Sequence, residues 1–283
     1  MNLDPAWVAD LVARALAEDL GGPDGVDVTS VATIPAGQVD VVDMVARAPG
    51  VVAGLPVALA VFEAVGDVST EALVDDGAAV ERGDVLATIT GPTRALLTAE
   101  RTALNLISRA SGVATHTRRW VTAIDGTGAK VLDTRKTTPG LRPLEKYAVR
   151  AGGGTNKRMG LYDVAMIKDN HKLAAGSITA AYEAVRGTFP EVAVQVEVTT
   201  VAEAVEAVTA GATFLLLDNM GPELLREVVA AVGGKAELEA TGNLTLDRAR
   251  EFAGTGVDYL SVGGLTHSSP ILDIALDLRP REA

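Results

Sequence analysis

The sequence predicts an α/β protein whose larger, C-terminal part is a closed or nearly closed barrel of parallel strands. Two observations carry this prediction. Short aliphatic runs alternate with helical stretches from Val131 onward, and no dinucleotide fingerprint follows the first of those runs. A third observation sets the N-terminal part aside, because Val-rich runs cut by Gly and Pro replace the regular alternation there. With 283 residues, the chain can form one large α/β domain and a smaller one.

The elements follow in order. Asp4-Pro5 opens an amphipathic helix, Asp as cap and Pro in its first turn, which runs to about Leu20 and stops at Gly21-Gly22. Val39–Ala46, Val51–Ala53 and Glu71–Val74 read as strands, with a helix over Leu55–Val65. Asp75–Gly91 reads as two strands joined by a turn. Its G-x-x-V-x-x-G-x-x-L spacing resembles the small β-sandwich of biotinyl and lipoyl carriers, but residues 1–129 contain no lysine for attachment, so it reads as scaffold. Thr93–Ala110 is a long helix expected to end before Gly112, with Leu96, Leu97, Ala103, Leu104 and Ile107 on its apolar face and Arg101 at the border.

The barrel strands are expected at 131–133, 164–167, 192–198, 213–217, 236–238 and 257–262, with helices at 143–151, 178–186, 201–210, 222–232 and 246–252. Near-continuous Val/Ile/Leu runs suit strands covered on both faces, and parallel strands need such crossovers.

Composition narrows the function. The absence of cysteine excludes disulfides, thiolate zinc sites, Fe–S clusters and a cysteine nucleophile. Aromatic residues make up only 4%, which leaves few platforms for stacking nucleic-acid bases. The apolar stretch Val51–Phe62 is broken by Gly54 and Pro56 and falls short of a membrane span. Asp4, Asp10, Glu18 and Asp19 do not suit a signal peptide, so a cytoplasmic protein is expected. Net charge is −12, yet residues 101–172 carry a local balance of +9 against −21 elsewhere. A basic island in an acidic chain suits a compact anion better than DNA, which the remaining surface repels.

Chemistry in α/β barrels gathers at the carboxyl ends of the strands. Those ends carry Thr134-Arg135-Lys136, then Lys168-Asp169-Asn170-His171, Glu197, Asp218-Asn219, Glu239 with Thr241-Gly242-Asn243, and finally Ser261 with Gly263-Gly264. Charge at most strand ends is costly beside a core unless it is used. Arg135, Lys136, Lys168 and Arg158 supply cations. Glu197 and Asp218 suit ribose hydroxyls or a hard cation such as Mg²⁺, and the glycine-bearing turns let backbone N–H groups approach phosphate. Gly152-Gly153-Gly154, followed by Asn156-Lys157-Arg158, reads as a mobile basic loop over the site. The set describes an enzyme acting on a sugar phosphate and an acidic co-substrate.

Several segments resemble one family in order along the chain. ERTALN (Glu100–Asn105), DTRKTTPGLR (Asp133–Arg142), GGGTNKRMGL (Gly152–Leu161), IKDNH (Ile167–His171), EVTT (Glu197–Thr200), LLDNM (Leu216–Met220) and GVDYLSVGGLTHS (Gly256–Ser268) are similar to the motifs of quinolinate phosphoribosyltransferases. The resemblance implies an incomplete (β/α) barrel with an N-terminal open-faced α/β sandwich domain. It divides the chain into 1–112, completed by 267–283, and 113–266. It also implies Mg²⁺-dependent conversion of quinolinate and phosphoribosyl pyrophosphate to nicotinate mononucleotide, pyrophosphate and CO₂, in a homodimer, or a higher oligomer, whose subunits share sites.

Carried over by position, the resemblance assigns Arg101, Arg135, Arg158 and Lys168 to the quinolinate carboxylates, with Thr134 and Lys157 also among the substrate contacts. Lys136 falls to the diphosphate side. Glu197 and Asp218 fall to ribose hydroxyls and the Mg²⁺ environment, and with Lys136 form the catalytic set. Thr241, Gly242, Asn243, Val262, Gly263 and Gly264 fall to the 5′-phosphate, with His267 nearby. Lys157 stands where many members have histidine, Thr241 replaces a common serine, and Asn243 replaces a common glycine. The alternative is a related phosphoribosyltransferase-fold protein with another acidic substrate, such as a molybdenum-transport-associated homologue.

Overall fold

The computed structural model describes residues 3–22 and 25–280. In chain order the elements are α1 (Pro5–Leu20), α2 (Val28–Thr33), β1 (Val39–Ala46), β2 (Gly50–Val51), α3 (Leu55–Val65), β3 (Ser69–Ala72), β4 (Ala79–Val80), β5 (Val85–Pro92) and α4 (Thr93–Ala123). Then come β6 (Lys130–Leu132), α5 (Arg142–Ala151), β7 (Val164–Ile167), α6 (Asp169–Ala175), α7 (Ile178–Thr188), β8 (Ala193–Val198), α8 (Val201–Thr209), β9 (Phe214–Asp218) and α9 (Pro222–Val232). The chain ends with β10 (Glu237–Thr241), a 3₁₀ turn (Leu246–Arg248), α10 (Ala249–Ala253), β11 (Tyr259–Ser261), α11 (Gly264–His267) and β12 (Ile274–Leu278). Two compact units result: residues 1–116, 143–153 and 268–283 form one, and 117–142 with 154–267 form the other. Residues 281–283 of the expected C-terminal completion lie outside the described residues.

The first unit holds an antiparallel sheet of order β12-β1-β5-β3 and a small β2-β4 pair. Val42 pairs with Ile89 and Met44 with Ala87, and all four are buried, so one face of the sheet is core. The opposite face carries Asp43, which pairs with Arg279 at 2.7 Å and accepts from Thr88 Oγ1 at 2.8 Å. One apolar and one polar face make this sheet open-faced. The two strands read from Asp75–Gly91 exist, but they do not pair with each other. β4 joins β2, and β5 enters the larger sheet.

Helix α4 corrects a second expectation. It continues through Gly112 and reaches Ala123. A Cβ at residue 112 would lie 2.1 Å from the Pro270 carbonyl oxygen and 2.8 Å from Ile271 Cα. Gly112 therefore serves close backbone approach rather than helix termination.

The second unit is a six-stranded, all-parallel sheet of order β6-β11-β10-β9-β8-β7. That order runs around a circle in chain sequence and leaves its seam between the first and second strands, β6 and β7. A single parallel bridge, Leu132 to Thr155, stands beside β6 at the seam. The crossover helix between these strands, α5, clusters instead with the first unit, where Glu145 meets Arg109 at 2.8 Å and Tyr147 donates to Asp76 at 2.5 Å. The barrel is incomplete at that seam.

Candidate active site

Register decides which side chains face the barrel interior. Glu197, Leu216, Glu239 and Tyr259 are neighbours across four strands, and Asp218 pairs with Thr241. In-register residues on parallel strands point to one side, as do residues two apart on one strand. Gln195, Glu197, Asp218, Glu239 and Thr241 therefore share a face. Gln195 Nε2 donates to Glu239 Oε2 at 2.7 Å although β9 lies between their strands, which identifies that face as the concave interior.

The cations meet at the mouth of this interior. Arg158 donates to the Val164 carbonyl at 2.8 Å, and its Nη2 lies 3.6 Å from Met166 Sδ. Burial holds its guanidinium below the ordinary arginine value, and the neighbouring Arg135 charge lowers it further. Lys168 Nζ lies 3.6 Å from Glu197 Oε2; the lysine side chain is 52% exposed and the glutamate side chain only 10%. Arg135 Nε is buried and has no hydrogen-bond partner among the described residues. An orphan buried donor beside a second guanidinium calls for an incoming acceptor.

A different arrangement holds the residues expected at the phosphate side. The Lys136 carbonyl accepts from Thr266 Oγ1 at 2.8 Å, and Thr134 Oγ1 accepts from the Lys136 N–H at 3.0 Å. A Cβ on Gly263 would lie 3.0 Å from Lys136 Cδ and 3.3 Å from His267 Nε2, so these three residues converge and glycine leaves the room. Val262 is buried and its N–H is taken by the Leu132 carbonyl at 3.0 Å, so its side chain belongs to the core. Asn219 and Asn243 adopt φ of 54° and 50°, and Asn243 Nδ2 donates to Asn219 Oδ1 at 3.2 Å. Asparagine tolerates this left-handed conformation better than most residues, which explains how Asn243 stands in for glycine. Gly242, at φ 87°, could not carry a Cβ without meeting Asn219 Oδ1 at 2.1 Å. Asn219 in turn donates to Asp218 at 2.9 Å.

The basic loop is pinned. The fully buried Asp133 accepts from the Lys157 N–H at 2.8 Å and from Asn156 Nδ2 at 2.6 Å. Lys157 does not turn toward the mouth; its Nζ meets Glu239 Oε1 at 2.5 Å. Burial lowers the pKa of this ammonium, Glu239 opposes that, and Arg158 and Lys168 add to the lowering. Arg101 belongs to the first unit. It is exposed on α4 and makes no hydrogen bond or ion pair among the described residues.

Three supporting residues had no role in the sequence reading. Arg142 donates to Thr137 Oγ1 at 2.9 Å and to the Met159 carbonyl at 2.8 Å, tying together the loops that carry Arg135 and Arg158. Asp163 accepts from the N–H groups of Met159, Gly160 and Val164 at 2.5, 3.1 and 3.1 Å. Asp133 is the third. Each lies inside or beside a motif, but hydrophobic periodicity carries no signal for such contacts.

A parallel barrel whose strand ends gather cations, inward carboxylates and glycine turns defines an α/β-barrel protein with a mouth suited to small polyanionic ligands. Comparison with known proteins makes the assignment specific. The family described as "Quinolinate phosphoribosyl transferase, N-terminal domain" matches residues 27–111, and its C-terminal counterpart matches 113–277. The chain is 49% identical over 275 residues to a nicotinate-nucleotide pyrophosphorylase [carboxylating] of Mycobacterium leprae, covering 95% of this chain and 96% of that one. It is 44% identical over 239 residues to a probable nicotinate-nucleotide pyrophosphorylase [carboxylating] of Bacillus subtilis, covering 83% and 82%. The crystal structure of NadC from Streptococcus pyogenes superimposes with a TM-score of 0.95 at 38% identity, covering 100% of both chains. The chain belongs to the quinolinate phosphoribosyltransferase family.

Proposed function

We propose that this protein transfers phosphoribose from phosphoribosyl pyrophosphate to quinolinate with decarboxylation, giving nicotinate mononucleotide, pyrophosphate and CO₂ in NAD biosynthesis. The observation that carries this reading is the meeting of Arg135, Arg158 and Lys168 at one barrel mouth, with the Arg135 Nε buried and unpartnered among the described residues. Quinolinate brings two carboxylates, and each charge-assisted hydrogen bond to such a group is worth about 1.5–3 kcal/mol.

The ribose C1–oxygen bond to pyrophosphate breaks as the bond to the ring nitrogen forms, and C1 becomes cation-like on the way. Glu197 and Asp218, on the shared inner face, stand where such charge is stabilised, and Lys136 serves the departing diphosphate. The positive charge on the ribosylated ring nitrogen then stabilises the electron pair left on the adjacent C2 as the 2-carboxylate departs as CO₂, and that carbon takes a proton. Positioning and fixed charge do most of this work. Thr241, Gly242, Asn243, Gly263, Gly264 and His267 receive the 5′-phosphate.

The donor set suits Mg²⁺ held mainly by substrate and water. Glu197 and Asp218 share a face with Glu239, which already bonds Lys157 and Gln195, and no group of three or more His, Cys, Asp or Glu side chains forms a metal cage among the described residues. When bound, Mg²⁺ neutralises charge on the leaving diphosphate. Glu197 and Asp218 would contact its water shell.

A homodimer with shared sites completes the reading. Arg101 is exposed on α4 and unpaired among the described residues, and Leu161, Tyr162 and Leu173 are exposed apolar residues that follow Arg158 and Lys168 in sequence. Those features support a neighbouring copy covering the mouth and supplying its Arg101. A cytoplasmic location belongs to the same reading; among the described residues no helix is long and apolar enough to cross a membrane.

The decisive assay supplies both substrates with Mg²⁺ and follows CO₂ and pyrophosphate. Equal release of both is expected. Pyrophosphate release without CO₂, or only with a different acid, would favour the related-substrate alternative.

A further inference from the structure

Below the mouth, the barrel buries a second charged group. Glu239 is fully buried on β10 and accepts from Lys157 Nζ at 2.5 Å and from Gln195 Nε2 at 2.7 Å, one bond to each carboxylate oxygen. The Lys157 side chain is only 10% exposed. At its other end the same residue donates its backbone N–H to Asp133 at 2.8 Å, and that carboxylate also holds Asn156. Lys157 is thus fixed between two fully buried carboxylates. The next residue in the chain is Arg158.

We propose that Glu239 is a positioning residue: it is the internal counter-ion that draws Lys157 into the barrel, so that Arg158 is presented in a fixed direction beside Arg135. Lys157 then serves Glu239 rather than substrate. The reason is electrostatic. An ammonium enters a barrel interior only with a partner, because isolated buried charge is strongly disfavoured. A short bond to an ionised carboxylate is also among the stronger contacts available, and a substrate carboxylate would have to displace it. Gln195 fixes the other oxygen, which leaves Glu239 one orientation. The inference rests on the proposed function, since Arg158 is assigned there to a quinolinate carboxylate.

The test compares the parent protein with Glu239→Gln, Lys157→Met and the double variant, measuring quinolinate binding by calorimetry and KM for each substrate. Glu239→Gln removes the negative charge facing the buried ammonium and should raise the quinolinate KM about tenfold, with the phosphoribosyl pyrophosphate KM within about twofold. The double variant removes both charges and should bind quinolinate within about threefold of the parent, a non-additive recovery. A double variant that loses quinolinate affinity as severely as Lys157→Met would overturn the assignment and make Lys157 a substrate contact. Equal rises in both KM values would reduce Glu239 to general packing. If Glu239→Gln does not fold, the double variant decides alone, because it buries neither charge. A parent protein that binds no quinolinate would defeat the proposed function itself; one that binds, beside a double variant that does not, defeats only the role of Glu239.

Discussion

Arg142 donates from Nη1 to the carbonyl oxygen of Met159 at 2.8 Å, across seventeen residues of chain. The same guanidinium reaches Thr137. The loops that carry Arg135 and Arg158 are therefore fastened to each other by a third arginine. Arg142→Ala should raise the quinolinate KM roughly tenfold, the worth of about one charged hydrogen bond, and change kcat less. Steady-state kinetics with each substrate varied in turn check this; an unchanged quinolinate KM would mean that the loops hold their shape without the tie.

Arg135→Ala removes the half-buried side chain whose buried Nε has no hydrogen-bond partner among the described residues. Turnover should become undetectable or the quinolinate KM should rise by roughly tenfold to a hundredfold, while the circular dichroism spectrum stays that of the parent. Unaltered kinetics would remove this arginine from the site.

Mixing two inactive proteins tests the shared site. Arg101→Ala spoils a residue of the first unit, and Lys168→Ala spoils one of the second. Subunit exchange should restore part of the activity through hybrid dimers that carry one intact pair of residues. No recovery, with exchange verified by mass spectrometry, would confine each site to one chain.

Gly112→Ala should be destabilising, because the new Cβ would lie 2.1 Å from the Pro270 carbonyl oxygen. A loss of about 1–3 kcal/mol or more follows from such overpacking against backbone. Thermal unfolding measures it, and an unchanged midpoint would show that the 270–271 segment yields easily.

Acid stability gives a further handle at Asp163. Burial pushes its carboxyl up, but the N–H groups of Met159, Gly160 and Val164 outweigh burial and hold it below the usual 3.8. A depressed carboxyl contributes stability above its unfolded pKa and loses it as pH falls through the folded value. Asp163→Asn should therefore melt lower than the parent at neutral pH, with the gap narrowing below about pH 4. A gap that stays constant down to acid would place the effect in shape rather than charge.

Much of this was readable from residue order alone, for identifiable reasons. Helix α3 and strand β7 fall where their apolar runs begin and end, and Pro222 marks the first turn of α9. The strand-end residues converge because alternate positions on parallel strands must face one side. What escaped depends on distant partners. Gly112 looked like a stop signal, since its real neighbours at Pro270 and Ile271 are more than 150 residues away. Helix α6 has no buried residue, so the stretch Asp169–Ala175 carries no periodic signature. From sequence Lys157 reads as part of a mobile basic loop, and only the fold reveals that Glu239 lies within its reach.

Helix α5 leaves the barrel between its first two strands and joins the other compact unit, then the chain returns at Thr155. The protein is consequently not modular in the way its two family segments suggest. A gene fragment cut at residue 112 would sever α4 in mid-helix and carry α5 away from Arg109 and Asp76. Shuffling one segment between homologues should yield working chimeras only when Pro143–Gly153 travels with the N-terminal segment it belongs to.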